Sequence, residues 1–248
     1  MHADTNTDSD SDTSSTHANT VGVLRAMQIG TPHEYGQPSQ PGAGDHANEH
    51  AWTTSFFRVP VEGPRWLFTT HLEGNEQADR KNHGHPNQAV LLYAAAHYPV
   101  WQAELSRVDI SSGGFGENFT VDGFTEGNVC LGDAFAIGEA RIEVTGPRYP
   151  CWKIERRWNA PGLTARVAET GRTGWYSYVR NEGSVQAGMS VALLERPYPQ
   201  WTVARMNDLV HGRETDAATI EALLACPILH PAWHPFLMRR LKLDIAPV

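Results

Sequence analysis

Cys151 stands three residues after Arg148 and two before Lys153, in the run Pro147-Arg148-Tyr149-Pro150-Cys151-Trp152-Lys153. The thiolate is the form of cysteine that attacks electrophiles and ligates metals, and neighbouring cations favour it. Two prolines fix their own φ and bias the residues before them away from helix, so the run reads as an irregular, extended presentation of sulfur. Spacing alone leaves a second reading open, because free cysteines are often buried and inert. Cys130 and Cys226 lie within apolar patterns and read as core residues.

Two other stretches carry chemistry-bearing types. Asp79, Arg80, Lys81, His83 and His85 crowd a polar run after a strand-like segment. His-x-His is weak evidence for zinc, which takes three or four ligands. A loop rich in N–H donors and cations can instead cradle a phosphate, or can simply be solvated. Residues 112–118, Ser-Gly-Gly-Phe-Gly-Glu-Asn, lack the strand–turn–helix context of a dinucleotide fingerprint. Their glycines permit either close approach of backbone to a ligand or a tight turn. Trp152, Trp158, Trp175 and Tyr176 read as aromatic core, with one or two available to line a flat heterocycle pocket.

The elements that must position these groups read as follows. Residues 1–20 are Asp, Ser, Thr, Asn and His with almost nothing to bury, and are expected to form a disordered tail. Strands are expected at 21–27, in a hairpin of 55–59 with 66–70, and at 115–120, 129–131, 134–137, 141–145, 174–180 and 190–195. Helices are expected at 88–96 with Asn87 as N-cap, at 100–105, and at 161–170 closed by Gly171. Many short strands with few long helices argue for a β-barrel. From residue 197 onward the pattern changes to three short helices, 203–211, 216–224 and 234–241, with Asp216 a cap for the second. The expected organisation is therefore a tail (1–20), a closed, mostly antiparallel β-barrel (21–196) and a small three-helix unit (197–248).

Composition removes several function classes. A formal charge of −8 argues against a general nucleic-acid binder. Three cysteines, odd in number and widely spaced, are no disulfide framework and fit a reducing compartment. No run approaches the roughly 18 apolar residues of a membrane helix, and the polar N-terminus is no secretory signal. A cytoplasmic protein without membrane attachment is expected.

Three ordered segments together resemble the MOSC domain, named for the C-terminal domain of molybdenum-cofactor sulfurases. They are residues 72–84, which contain Lys81 and His83, then 114–118, ending in Asn118, then 147–153. The likeness is strongest to the stand-alone bacterial branch that reduces 6-N-hydroxylaminopurine, whose barrel is also followed by three helices. The resemblance implies a molybdenum cofactor with Cys151 as the protein's metal ligand, and it assigns Lys81, His83, Asn118, Arg148 and Lys153 to the phosphate and pterin. It implies reduction of N-hydroxylated bases to amines, a detoxifying oxidoreductase reaction. The chain has no iron–sulfur cysteine set and no flavin or nicotinamide fingerprint, so electrons would come from a partner, a flavin or Fe–S reductase. The alternative within the resemblance is a cofactor carrier or sulfur-transfer module with a persulfide on Cys151. Asn75 and Asn87 depart from the family by standing where aspartate is frequent, and His85 by standing where glycine is common. A homodimer is compatible with the apolar helical tail.

Overall fold

A computed structural model describes residues 21–36, 51–79 and 84–244, with side chains described through Leu241. The tail expected at 1–20 and the proposed ligands Lys81 and His83 lie outside the described residues. In chain order the elements begin with β1 (Val21–Ile29), β2 (His33–Tyr35), β3 (Trp52–Thr54), β4 (Val59–Val61), β5 (Arg65–Leu67), β6 (Val90–Ala94) and α1 (His97–Leu105). There follow β7 (Phe119–Asp122), β8 (Ala134–Ile137), β9 (Ala140–Pro147), α2 (Lys153–Trp158), α3 (Leu163–Thr170) and β10 (Trp175–Asn181). The chain ends with β11 (Gly183–Val185), β12 (Ser190–Glu195), α4 (Val203–His211), α5 (Ala217–Leu224) and α6 (His234–Asp244).

Seven strands close into a ring in the order β12-β8-β9-β10-β6-β7-β1, and β1 pairs back onto β12 to seal it. Every contact in the ring is antiparallel except β6 with β7, so the barrel is mixed. Its interior is filled by Leu24, Leu92, Phe119, Phe135, Ile142, Val144 and Trp175 among others. β4 attaches outside the ring to the far end of β1.

β6 corrects the sequence reading most sharply. The helix expected at 88–96 is a single 3-10 turn, Pro86–Gln88, followed by this strand. All five of its residues are buried. A continuous apolar run suits a strand covered on both faces as well as a helix, and periodicity does not separate the two. The hairpin expected from 55–59 and 66–70 is also absent. β4 pairs with β1, and β5 pairs with β11, a segment that reads as a turn in the sequence. Residues 129–131 make only one bridge, Cys130 to Thr202, rather than a strand.

The C-terminal helices follow their local signals. Thr202 and Asp216 cap α4 and α5 by accepting from Arg205 N (3.1 Å) and Thr219 N (2.8 Å). Trp201, Met206, Leu209, Ile220, Leu223 and Leu237 form a second core, which reaches the barrel through Leu131. Backbone bonds from Val203 N to Val129 O and from Ala204 N to Glu126 O fasten the first of these helices to the barrel. No described helix is long and apolar enough to cross a membrane.

Candidate functional site

The chain leaves β9 at Pro147 and enters α2 at Lys153, so the cysteine run is a short link between strand and helix. Arg148 is pinned at its backbone, where its N–H donates to Gly174 O at 3.0 Å. The backbone of Cys151 is pinned too: its carbonyl accepts from Thr164 Oγ1 and from Ile154 N, each at 3.1 Å. The side chains then meet. Arg148 Nη2 lies 3.6 Å from Cys151 Sγ, which is half-buried, while Arg148 itself is only 3% exposed.

Both residues line a small cavity of about 50 Å3 together with Lys153, Arg58, Tyr176 and Asn118. Arg58 carries a charge the sequence reading did not single out, because it follows two phenylalanines in what reads as a strand. Burial lowers its guanidinium to about 10, so it stays cationic at neutral pH. It donates to Gly116 O and to Asn75 Oδ1. Asn75 thus offers Arg58 a neutral acceptor where an aspartate would offer a counter-charge. The cavity is left cationic, with Asp79 the only carboxylate among its described lining residues.

Glu117 holds the adjoining loop. It is fully buried, and its carboxylate accepts from Gly113 N (2.5 Å), Phe115 N (3.2 Å), Thr120 Oγ1 (2.9 Å) and the Tyr98 hydroxyl. Burial first, and Glu117 second, keep the Tyr98 phenol well above its usual value. Arg157 ties α2 to the same loop through Gly113 O (2.9 Å) and to Phe56 O (3.0 Å). Gly116, at φ +80°, could not carry a side chain without placing its Cβ 2.5 Å from the Phe56 ring. That close seat brings Phe56 beneath Arg148, whose guanidinium carbon is 5.9 Å from the ring centre.

Of the residues proposed from the sequence, Asn118, Arg148, Cys151 and Lys153 all line this one cavity. Asn118 differs from the others in what its amide does. Its Oδ1 accepts from Leu91 N and its Nδ2 donates to Gln28 O, both at 3.3 Å, so the carboxamide braces β6 against β1. Among the described residues, no group of three or more His, Cys, Asp and Glu is placed to hold a metal ion.

Among the described residues, three buried polar atoms of the lining have no hydrogen-bond partner: Ser55 Oγ, Gln88 Oε1 and Arg148 Nη1. A buried donor or acceptor left unmade costs about 1–3 kcal/mol, more when charged. Ser55 Oγ and Arg148 Nη1 can donate to an anionic ligand, whereas Gln88 Oε1 can only accept. The enclosed space suits one small anionic group, with the rest of a larger ligand lying beyond it.

The three cysteines are chemically distinct. Burial, and then Asp133, push the Cys130 thiol up to about 11, and Cys226 is buried. At pH 8 the Cys130 thiol therefore stays protonated. Iodoacetamide at that pH is expected to label Cys151 first, with Cys130 and Cys226 unlabelled until the protein unfolds. Peptide mapping by mass spectrometry checks this, and early labelling of Cys130 would contradict the burial.

A model of the MOSC domain matches residues 79–192, and a model of the YiiM-like 3-alpha helix domain matches residues 201–242. The YflK protein of Bacillus subtilis (strain 168) is 37% identical over 187 residues, which is 75% of this chain and 84% of the relative. A Gibberella moniliformis protein named Reductase is 35% identical over 164 residues, 65% of this chain but 29% of that longer protein. The crystal structure of YiiM from Geobacillus stearothermophilus has a TM-score of 0.70 at 26% identity, covering 89% of this chain and 99% of that one.

Proposed function

This chain belongs to the MOSC domain family, with a YiiM-like three-helix domain after the barrel, and from that premise we propose that it is a molybdenum-cofactor-dependent reductase. Its proposed substrates are N-hydroxylated bases such as 6-N-hydroxylaminopurine, which it converts to amines. The observation that carries this reading is the half-buried Cys151 sulfur set 3.6 Å from a buried guanidinium, in a cationic cavity with unmet polar atoms.

The residues fit the group. Cys151 supplies a soft thiolate ligand of the kind a metal–sulfur centre takes. Arg148 has one guanidinium nitrogen already beside the sulfur and another without a partner, which is free to hold an anionic oxygen. Arg58 and Lys153 add positive charge at the same cavity for a phosphate or other anionic group. Lys81 and His83 are proposed for the same ligand from the sequence resemblance, and Asn118 for holding the wall in place. When bound, the cofactor supplies a two-electron centre able to reduce an N–O bond.

The surrounding chain does the rest. Phe56 and Leu91 present apolar surface to the cavity and limit water beside the sulfur. Burial holds the Tyr176 phenol above its usual value, with Arg148, Cys151 and Arg58 near enough to act on it. Tyr176 Oη therefore keeps its proton at neutral pH and can donate a hydrogen bond to an oxygen bound in the cavity. Electrons are proposed to come from a separate flavin or Fe–S protein. A relative bearing the name Reductase supports an oxidoreductase.

Arg148→Met separates binding from stability. Methionine keeps most of the length and volume while removing a buried charge with an unmet nitrogen, so the melting temperature should hold or rise. Cofactor content should nevertheless fall about 10- to 100-fold, the loss typical when a partner of a metal centre is removed. Molybdenum and pterin assays beside a thermal melt read both effects. Full cofactor content in this variant would refute the role given to Arg148. The direct test of the function is reduction of 6-N-hydroxylaminopurine by the cofactor-loaded protein with a chemically reduced viologen dye. No amine product under those conditions would overturn the proposal.

A further inference from the structure

A second and larger cavity, about 400 Å3, lies where the barrel meets the C-terminal helices. Its barrel side is formed by Gln88, Tyr176 and the end of β9, and its helical side by His230, Trp233 and Phe236. Gln88 and Tyr176 also line the Cys151 cavity, so the two spaces share a wall. We infer that this cavity binds a flat, uncharged heteroaromatic molecule such as a purine base, stacked against Trp233 and read at its edge by Gln88. Identifying that molecule as the substrate rests on the reductase reading, whereas the binding site itself does not.

Four observations carry the inference. The volume falls within the range of about 300–1,000 Å3 common for small-molecule sites. No Asp, Glu, Lys or Arg is among the described lining residues, which disfavours a charged occupant. Burial, and then His85, lower the His230 imidazole, so it too is neutral at pH 7.

The remaining two concern shape and hydrogen bonding. The aromatic side is a connected set: Trp233 and Phe236 have ring centres 5.9 Å apart, and Phe236 and Tyr149 are 5.0 Å apart. The sheet is shaped to receive it. The β9–β10 register shifts beside Gly146, which has φ +140°. A Cβ there would lie 2.9 Å from Trp233 Nε1. A larger residue would push the indole off the barrel, so Trp233 is part of a built wall.

Gln88 supplies the specificity. Its residue lines both cavities, and its buried Oε1 has no partner among the described residues. A carboxamide can both accept and donate, which matches the mixed donor and acceptor edge of a purine. From there a substituent on the base would reach the wall shared with Cys151.

Isothermal titration calorimetry of the purified full-length chain with adenine tests this. Adenine is expected to bind, and the anionic base orotate to bind far more weakly. Trp233→Ala and Gln88→Leu should each weaken adenine at least about tenfold, the scale of a lost base stack or edge contact. Trp233→Phe should retain most of the affinity. Absence of adenine binding, or equal affinity in the Trp233→Ala and Gln88→Leu variants, would overturn the inference. The two proposals fail separately. Trp233-dependent binding without any reduction by cofactor-loaded protein sinks the reaction and leaves the site standing. Reduction with an unchanged KM in Trp233→Ala sinks the site and leaves the reaction.

Discussion

Replacing Cys151 by alanine is expected to bring reduction of 6-N-hydroxylaminopurine to background, a loss of more than about 100-fold. Residues that merely support a metal ligand already cost 10- to 100-fold when changed, and Cys151 is the proposed ligand itself. The fold should survive. The links that hold this segment run through the Cys151 carbonyl and the Arg148 amide, and neither depends on the sulfur. A thermal melt within a degree or two of the parent, beside lost activity in the viologen assay, is the expected pair of results. Normal turnover with cofactor fully bound would remove Cys151 from the mechanism. A persulfide on the parent's Cys151, with no reduction of the N-hydroxylated substrate, would favour the sulfur-transfer alternative.

Glu117→Leu is expected to damage stability severely, costing about 3–5 kcal/mol. It removes the acceptor for two backbone amides and two hydroxyls at a fully buried position. It also takes away the carboxylate that acts on Arg58 and Arg157. For a chain of this size that loss corresponds to a fall of about 10 °C in melting temperature. Glu117→Gln should cost less, since the amide keeps one acceptor oxygen. Urea unfolding of both variants tests this, and a Glu117→Leu change below about 1 kcal/mol would show that the loop is held by other means.

Glu117 also illustrates what sequence reading reaches. The 112–118 stretch stood out for its glycines, but nothing in the order of residues announced that the carboxylate faces inward and gathers its own loop. Asn118 was assigned to the cofactor by resemblance, whereas its amide ties two strands together. β9, β10 and β12 were legible because each alternates or is bounded by turn residues. The caps Asp216 and Gly171 were legible because their chemistry is local.

β6 was not legible, since burial on both faces erases the period that distinguishes strand from helix. The separation of β4 from β5 depends on partners far along the chain, β1 and β11, and no short window contains them. Arg58 was missed for the same reason. Its role comes from Gly116 and Asn75, which lie on other segments. Cys151, by contrast, stands out by local spacing, and the two cations near it in sequence, Arg148 and Lys153, line the same cavity.

The central claim is that Cys151 and the cations around it hold a molybdenum cofactor. Elemental and pterin analysis of the full-length protein, purified from a host that makes the cofactor, tests it most directly. The account predicts near-stoichiometric molybdenum and molybdopterin in the parent protein and a large loss of both in Arg148→Met. Protein that carries neither molybdenum nor pterin, and takes up neither in reconstitution, would contradict it.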